Sequence, residues 1–184
     1  MALAVIGIGA FAAIRVLGGN HATVLAVLVM MIPGRVQGLL YRPLFRGRMA
    51  LEKGEAARAL ELFNQFLASL EAQPWRRWAL WLSWSVYTPS ARAMALNNIG
   101  AAQSGLGKVD EAERTWRLAL VEDSLFAIPY ANLSATAALR GDRLLSKELL
   151  DKTATLGYSG TALDRATARA QQLLASAEQN GPSL

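Results

Sequence analysis

The chain has no cysteine, a single histidine and only 18% charged residues, against roughly 25% in an ordinary soluble domain. Each shortage removes a class of chemistry. Without cysteine there is no disulfide framework, no zinc–thiolate site and no thiol nucleophile. A Ser-His-Asp constellation would have to be built on His21, and no G-x-S-x-G turn is present to carry the serine. One imidazole with scattered carboxylates has no recognisable metal-ligand spacing. No G-x-x-x-x-G-K-[ST] phosphate loop occurs. The acidic pairs Asp110-Glu111 and Glu122-Asp123 fall at expected helix ends, where the helix dipole and solvation account for them. A protein that is not an enzyme, with no cofactor and no metal, is the expectation.

Acidic residues are missing altogether from the first quarter. Residues 1–51 contain no Asp or Glu but five arginines: Arg15, Arg35, Arg42, Arg46 and Arg48. The 14 acidic side chains of the molecule all lie from Glu52 onward, where an equal number of basic ones balances them. The net charge of +5 is therefore a local property of the N-terminal region, which argues against nucleic acid as a partner. Four of the five arginines follow a hydrophobic stretch, as a cytoplasmic juxtamembrane segment does under the positive-inside rule.

That stretch has two apolar runs, Met1 to Leu17 interrupted by Arg15, and Ala22 to Ile32. Gly18-Gly19-Asn20-His21 between them is a turn signal. The pattern predicts a hydrophobic helical hairpin over 1–40 that anchors the chain to membrane lipid. An arm of 16 or 17 residues rises about 25 Å, short of a roughly 30 Å hydrocarbon core, so a shallow or re-entrant hairpin is as open as a full span. A buried hairpin of a soluble oligomer is the bland alternative. The Gly7-Ile8-Gly9 run imitates a dinucleotide-binding turn, but that motif needs an acidic residue about 20 positions on, and the first one here is Glu52.

The remainder repeats itself with a period of 34 residues. In the clearest unit Leu96 is followed by Ile99-Gly100, Gly107, Ala112, Trp116 and Ala119. Adding the period gives Tyr130, Leu133, Ser134, Gly141, Ser146 and Leu150, and an earlier unit is visible at Gly47, Gly54, Ala59 and Phe63. These spacings resemble the tetratricopeptide pattern W-x2-L-G-x2-Y, Gly, A-x3-F, specifically in the middle unit and less so in the others. The physical content is small residues where two helices cross, a glycine ending the first helix, and large apolar residues filling the gap. Helices are expected over about 38–52, 55–71, 127–140, 143–156 and 161–177, the last a capping helix. A generic helical bundle is the alternative. The fold class expected is thus all-α: two to three tetratricopeptide-type hairpins and a cap over 41–178, after the N-terminal hairpin, with a frayed tail over 179–184.

One segment exceeds the period. From Gly54 to Gly107 is 53 residues, and the surplus falls in a Trp-rich insertion at 74–93. Trp75, Trp78, Trp81 and Trp84 stand there beside Arg76 and Arg77. Tryptophan with neighbouring arginine suits the membrane–water interface, so these six residues are the candidate interfacial set. Burial between repeats, or an aromatic ligand pocket, would use the same composition. Thr88-Pro89-Ser90 reads as the start of the next helix.

The resemblance implies a groove along the first helices of successive hairpins, taking a protein or peptide partner. Asn98 and Asn132, one period apart, stand where an asparagine of this repeat meets the backbone of a bound peptide. Both would then be largely exposed in the free protein. Two functions follow as expectations. One is a scaffold or adaptor held at a membrane, expected to be a bacterial inner membrane with the repeats cytoplasmic. The other is an accessory subunit packed permanently on a larger membrane complex.

Overall fold

A computed structural model of the chain describes residues 34–82 and 88–179. The N-terminal hairpin expected over 1–40 lies outside the described residues except for 34–40, and the tail from 180 lies outside them entirely. The described residues form an all-helical protein. Residues 34–40 are helical and run into α1 (Arg42–Glu52), followed by α2 (Ala56–Ala72), a 3-10 segment (Pro74–Leu82), α3 (Ala91–Gly105), α4 (Val109–Glu122), α5 (Ala127–Leu139), α6 (Arg143–Thr155) and α7 (Thr161–Gln179). The break at Tyr41 has a local cause. Pro43 has no N–H to give the Leu39 carbonyl, so the ladder is interrupted one turn earlier.

Three helix pairs are joined by one and the same turn. Gly54, Gly107 and Gly141 have φ of +78°, +75° and +77°, a left-handed conformation that costs side chains with a Cβ. In each turn the glycine N–H reaches the carbonyl three residues back (Leu51, Ser104, Ala138) at 3.0 Å. The following N–H, of Glu55, Lys108 and Asp142, bonds Ala50, Gln103 and Ala137 at 2.9, 3.0 and 3.0 Å. This closure satisfies the last carbonyls of the first helix and reverses the chain within three residues. Gly157 repeats it after α6, at φ +85°.

Inside the pairs, small residues admit large ones. A Cβ on Gly100 would lie 2.5 Å from Nε1 of Trp116, and one on Gly47 would run into the Phe63 ring. The pairs α1/α2 and α3/α4 therefore meet through a glycine and an aromatic ring at the same sequence interval. Ser134, fully buried, holds that position in the third pair and bonds its own Ala131 carbonyl at 2.9 Å.

Two core clusters run along the molecule. Tyr41, Leu44, Phe63, Phe66 and Leu70 of α1 and α2 pack against Ala91, Ala95 and Ile99 of α3, with the Tyr41 and Phe66 rings edge to face at 4.8 Å. Ala112, Trp116 and Leu133 form the second, joining α4 to α5. Burial of a large apolar side chain stabilises by about 1.5–3 kcal/mol, so these shared clusters bind each pair to the next. Ion pairs reinforce the seams. Arg92 reaches Glu71 of α2 at 2.7 Å and Glu122 of α4 at 2.9 Å. Arg140 at the end of α5 reaches Asp110 and Glu113 of α4, both at 2.5 Å. Glu113 also pairs with Arg117, which compensates a carboxylate only 9% exposed.

The Trp-rich insertion divides in two. Its first part is the 3-10 segment, held by the Tyr41 hydroxyl donating to the Arg76 carbonyl at 3.1 Å and by burial of Ala79 and Leu80. Its end belongs to α3. Ser90 caps that helix, its Oγ accepting from the Ala93 N–H at 3.1 Å, and Pro89 stands just before the cap. Thr88 accepts from the Ser90 N–H at 3.0 Å and donates to Asp123 at 2.5 Å, fixing the start of α3 to the end of α4.

Candidate interaction groove

The first helices α3 and α5 and the last helix α7 enclose a cleft of about 340 Å³. Ala101, Ser104 and Gly105 of α3 line one side, and Ala135, Thr136 and Leu139 of α5 the other. Arg169 and Leu173 of α7 close it from above. A second cleft of about 280 Å³ shares Asn132, Ala135 and Arg169 with the first and extends past Tyr158 and Arg165. Short side chains make these clefts: alanine at 101, 131, 135, 162 and 166 leaves room that longer residues would fill.

The helix expected to be a cap, α7, does not simply cover the last pair. It packs chiefly on α5, the inner helix of the third pair, and less on α6. Ala170 is its fully buried contact residue. The groove therefore has a wall contributed by α7, and Arg169 and Leu173 belong to it although the sequence reading placed neither in the groove. The available signal was the i, i+4 placement of Arg165, Arg169 and Leu173, which puts them along one helix face.

The two candidate asparagines have different surroundings. Both are half-buried rather than largely exposed. Asn98 donates from Nδ2 to the Met94 carbonyl of its own helix at 2.8 Å. Asn132 lines both clefts, and its Nδ2 donates to Oδ1 of Asn97 at 3.0 Å, tying α5 to α3. Asn97, beside the candidate Asn98, is buried and is the residue that integrates the site. Its backbone carbonyl accepts from the Trp116 indole at 3.1 Å while its side chain accepts from Asn132. An amide offers two N–H donors and a carbonyl with two lone pairs, so Asn98 and Asn132 each retain capacity for a further partner. Gln103 accepts from Thr115 Oγ1 at 2.8 Å across the α3/α4 seam.

Of the interfacial candidates, Trp75 is 57% and Trp78 70% exposed, and Arg77 is exposed between them. Together with Pro74 and Pro89 they form an open apolar shelf. Arg76 points inward and is half-buried. The side chain of Trp81 and the whole of Trp84 lie outside the described residues.

Among the described residues no group of His, Cys, Asp and Glu could hold a metal ion, and no helix is long and apolar enough to cross a membrane. No protein-family model, curated protein or solved structure matches the chain.

Proposed function

We propose that the chain is a membrane-anchored interaction scaffold whose three helix pairs are a tetratricopeptide-type array, offering the α3/α5/α7 groove to a protein or peptide partner. The observation that carries this is the groove itself: two joined clefts floored by alanine and both lined by Asn132, whose amide retains bonding capacity, as does that of half-buried Asn98 on α3. Extended peptide is recognised by amides of this kind, with small residues giving its side chains space. The recurrence of one glycine turn and one small-against-large contact supports the repeat reading. The anchor rests on residues 1–33, and hence on composition: apolar runs, one arginine and no acid. No catalytic step, cofactor or nucleic acid enters the proposal. The arginines after the apolar stretch support a cytoplasmic placement of the repeats, and a bacterial inner membrane is the membrane proposed.

The second reading is an accessory subunit packed permanently on a larger membrane complex. Exposed Leu118 and Val121 on α4, and Leu144 on α6, favour it, because they give the outer helices an apolar face. A photo-crosslinking residue at Ala135 in the groove and another at Val121 on the outer face separate the two. Crosslinks to a partner from Ala135 alone support the scaffold; crosslinks from Val121 alone support the accessory subunit. The anchor has its own test. Recovery of the full chain in the supernatant of a carbonate wash would overturn it.

A further inference from the structure

The outward face of α1 is unlike the surface of the other helices. Leu39, just before α1, is 72% exposed, and Phe45 and Met49, one turn apart on α1, are 41% and 56% exposed. Interleaved with them are Arg35, Arg42, Arg46 and Arg48. Among the described residues no carboxylate pairs with these four arginines, whereas Arg92, Arg117 and Arg140 are all engaged. The face before Glu52 has no acidic residue at all. A second patch of similar composition, exposed Trp75, Arg77 and Trp78, lies on the 3-10 segment, whose Arg76 carbonyl accepts from the hydroxyl of buried Tyr41, the residue that precedes α1.

We propose that the outer face of α1, together with Trp75, Arg77 and Trp78, is a docking surface for a bilayer rich in anionic phospholipid. Charge complementarity selects the occupant. Among the described residues these four arginines have no acidic partner, and anionic headgroups supply the missing countercharge. Phe45, Met49 and the two tryptophans supply the apolar part that enters the headgroup–acyl boundary, where Trp and Arg are favoured. Arginine alone would serve an acidic protein or nucleic acid. Exposed Phe45 and Met49 between the arginines of α1, and exposed Trp75 and Trp78 around Arg77, match a medium that is charged outside and apolar within. The inference extends the membrane reading from the N-terminal segment to the folded domain, and rests on that reading only for the supply of a nearby bilayer.

The absence of native cysteine makes the test direct, because any introduced thiol is unique. An environment-sensitive fluorophore is attached to the full chain at Met49→Cys, Trp78→Cys and, as control, Val121→Cys. Each variant is mixed with vesicles of phosphatidylcholine alone or with a third phosphatidylglycerol. Quenchers carried on the lipid tails should suppress emission at 49 and 78 several-fold more than at 121, and only with the anionic lipid. Arg42→Gln/Arg46→Gln/Arg48→Gln, all exposed and away from the core, should weaken that response on the order of a hundredfold in lipid concentration. Equal quenching at 49, 78 and 121 would overturn the proposal. So would labels at 49 and 78 shielded from both lipid and aqueous quenchers, which would mean that protein covers the face. A chain lacking a true anchor would still bind anionic vesicles in this assay while failing the carbonate wash, so the two readings fail separately.

Discussion

Trp116 occupies the space that a side chain on Gly100 would need: the indole Nε1 lies 2.5 Å from where a Cβ would stand. The α3/α4 pair is held at that separation by a residue without a side chain. Gly100→Ala forces the ring or the helix to move and should destabilise by about 1–3 kcal/mol. Gly47→Ala should do the same through Phe63. Urea unfolding measures both, and Gly100→Ala combined with Trp116→Leu should cost less than the sum of the two separate changes. Additive costs would show that the contact is not what sets the helix spacing.

The three glycine turns make a different prediction. Nothing lies within 4 Å of a Cβ at Gly107 or Gly141, so alanine there meets no neighbour and its cost is conformational alone. Each substitution should lose roughly 1 kcal/mol, and a D-alanine placed by chemical synthesis should lose almost nothing. The midpoint of chemical denaturation reports the difference. If L- and D-alanine behave alike, the left-handed turn is not the constraint.

Asn98 and Asn132 should separate on mutation. Asn132→Ala leaves the buried Asn97 carbonyl oxygen without its donor and should cost about 1–3 kcal/mol. Asn98→Ala removes a bond to a carbonyl on its own helix and should cost below about 1 kcal/mol. If the groove takes a peptide, each change should also weaken binding, and the pair about tenfold or more. Thermal melts beside binding isotherms check this. A partner bound normally by both variants would make the two amides purely structural.

Tyr41 links stability to alkaline pH. Burial pushes its hydroxyl from 10.0 up to about 12, partly offset by a backbone hydrogen bond at Leu80. Between these values the unfolded chain has lost the proton and the folded protein keeps it, so stability falls as pH rises. The contribution is fully present below about pH 10 and is gone above the folded value, an upper limit on the order of 2–3 kcal/mol. Tyr41→Phe should remove this slope between pH 10 and 12. At neutral pH it should cost about 1 kcal/mol, through the Arg76 carbonyl it leaves unmet. Identical pH profiles for the two proteins would refute the assignment.

Local chemistry determined much of this molecule. An all-helical protein, and helices ending at Gly54, Gly107 and Gly141, were legible because a left-handed turn needs glycine and an amphipathic face needs its period, both nearest-neighbour properties. The glycines and serine that let large residues through could be located from repeat spacing for the same reason. Tertiary structure decided the rest. That Asn132 bonds Asn97 and not solvent depends on the separation of α3 and α5, which no spacing within either helix encodes. That α7 lies against α5 and walls the groove depends on which apolar face was left uncovered once three pairs had packed. The missing ion pairs of Arg42, Arg46 and Arg48 are of the same kind: sequence counts charges, but only the fold shows that no acid among the described residues pairs with them.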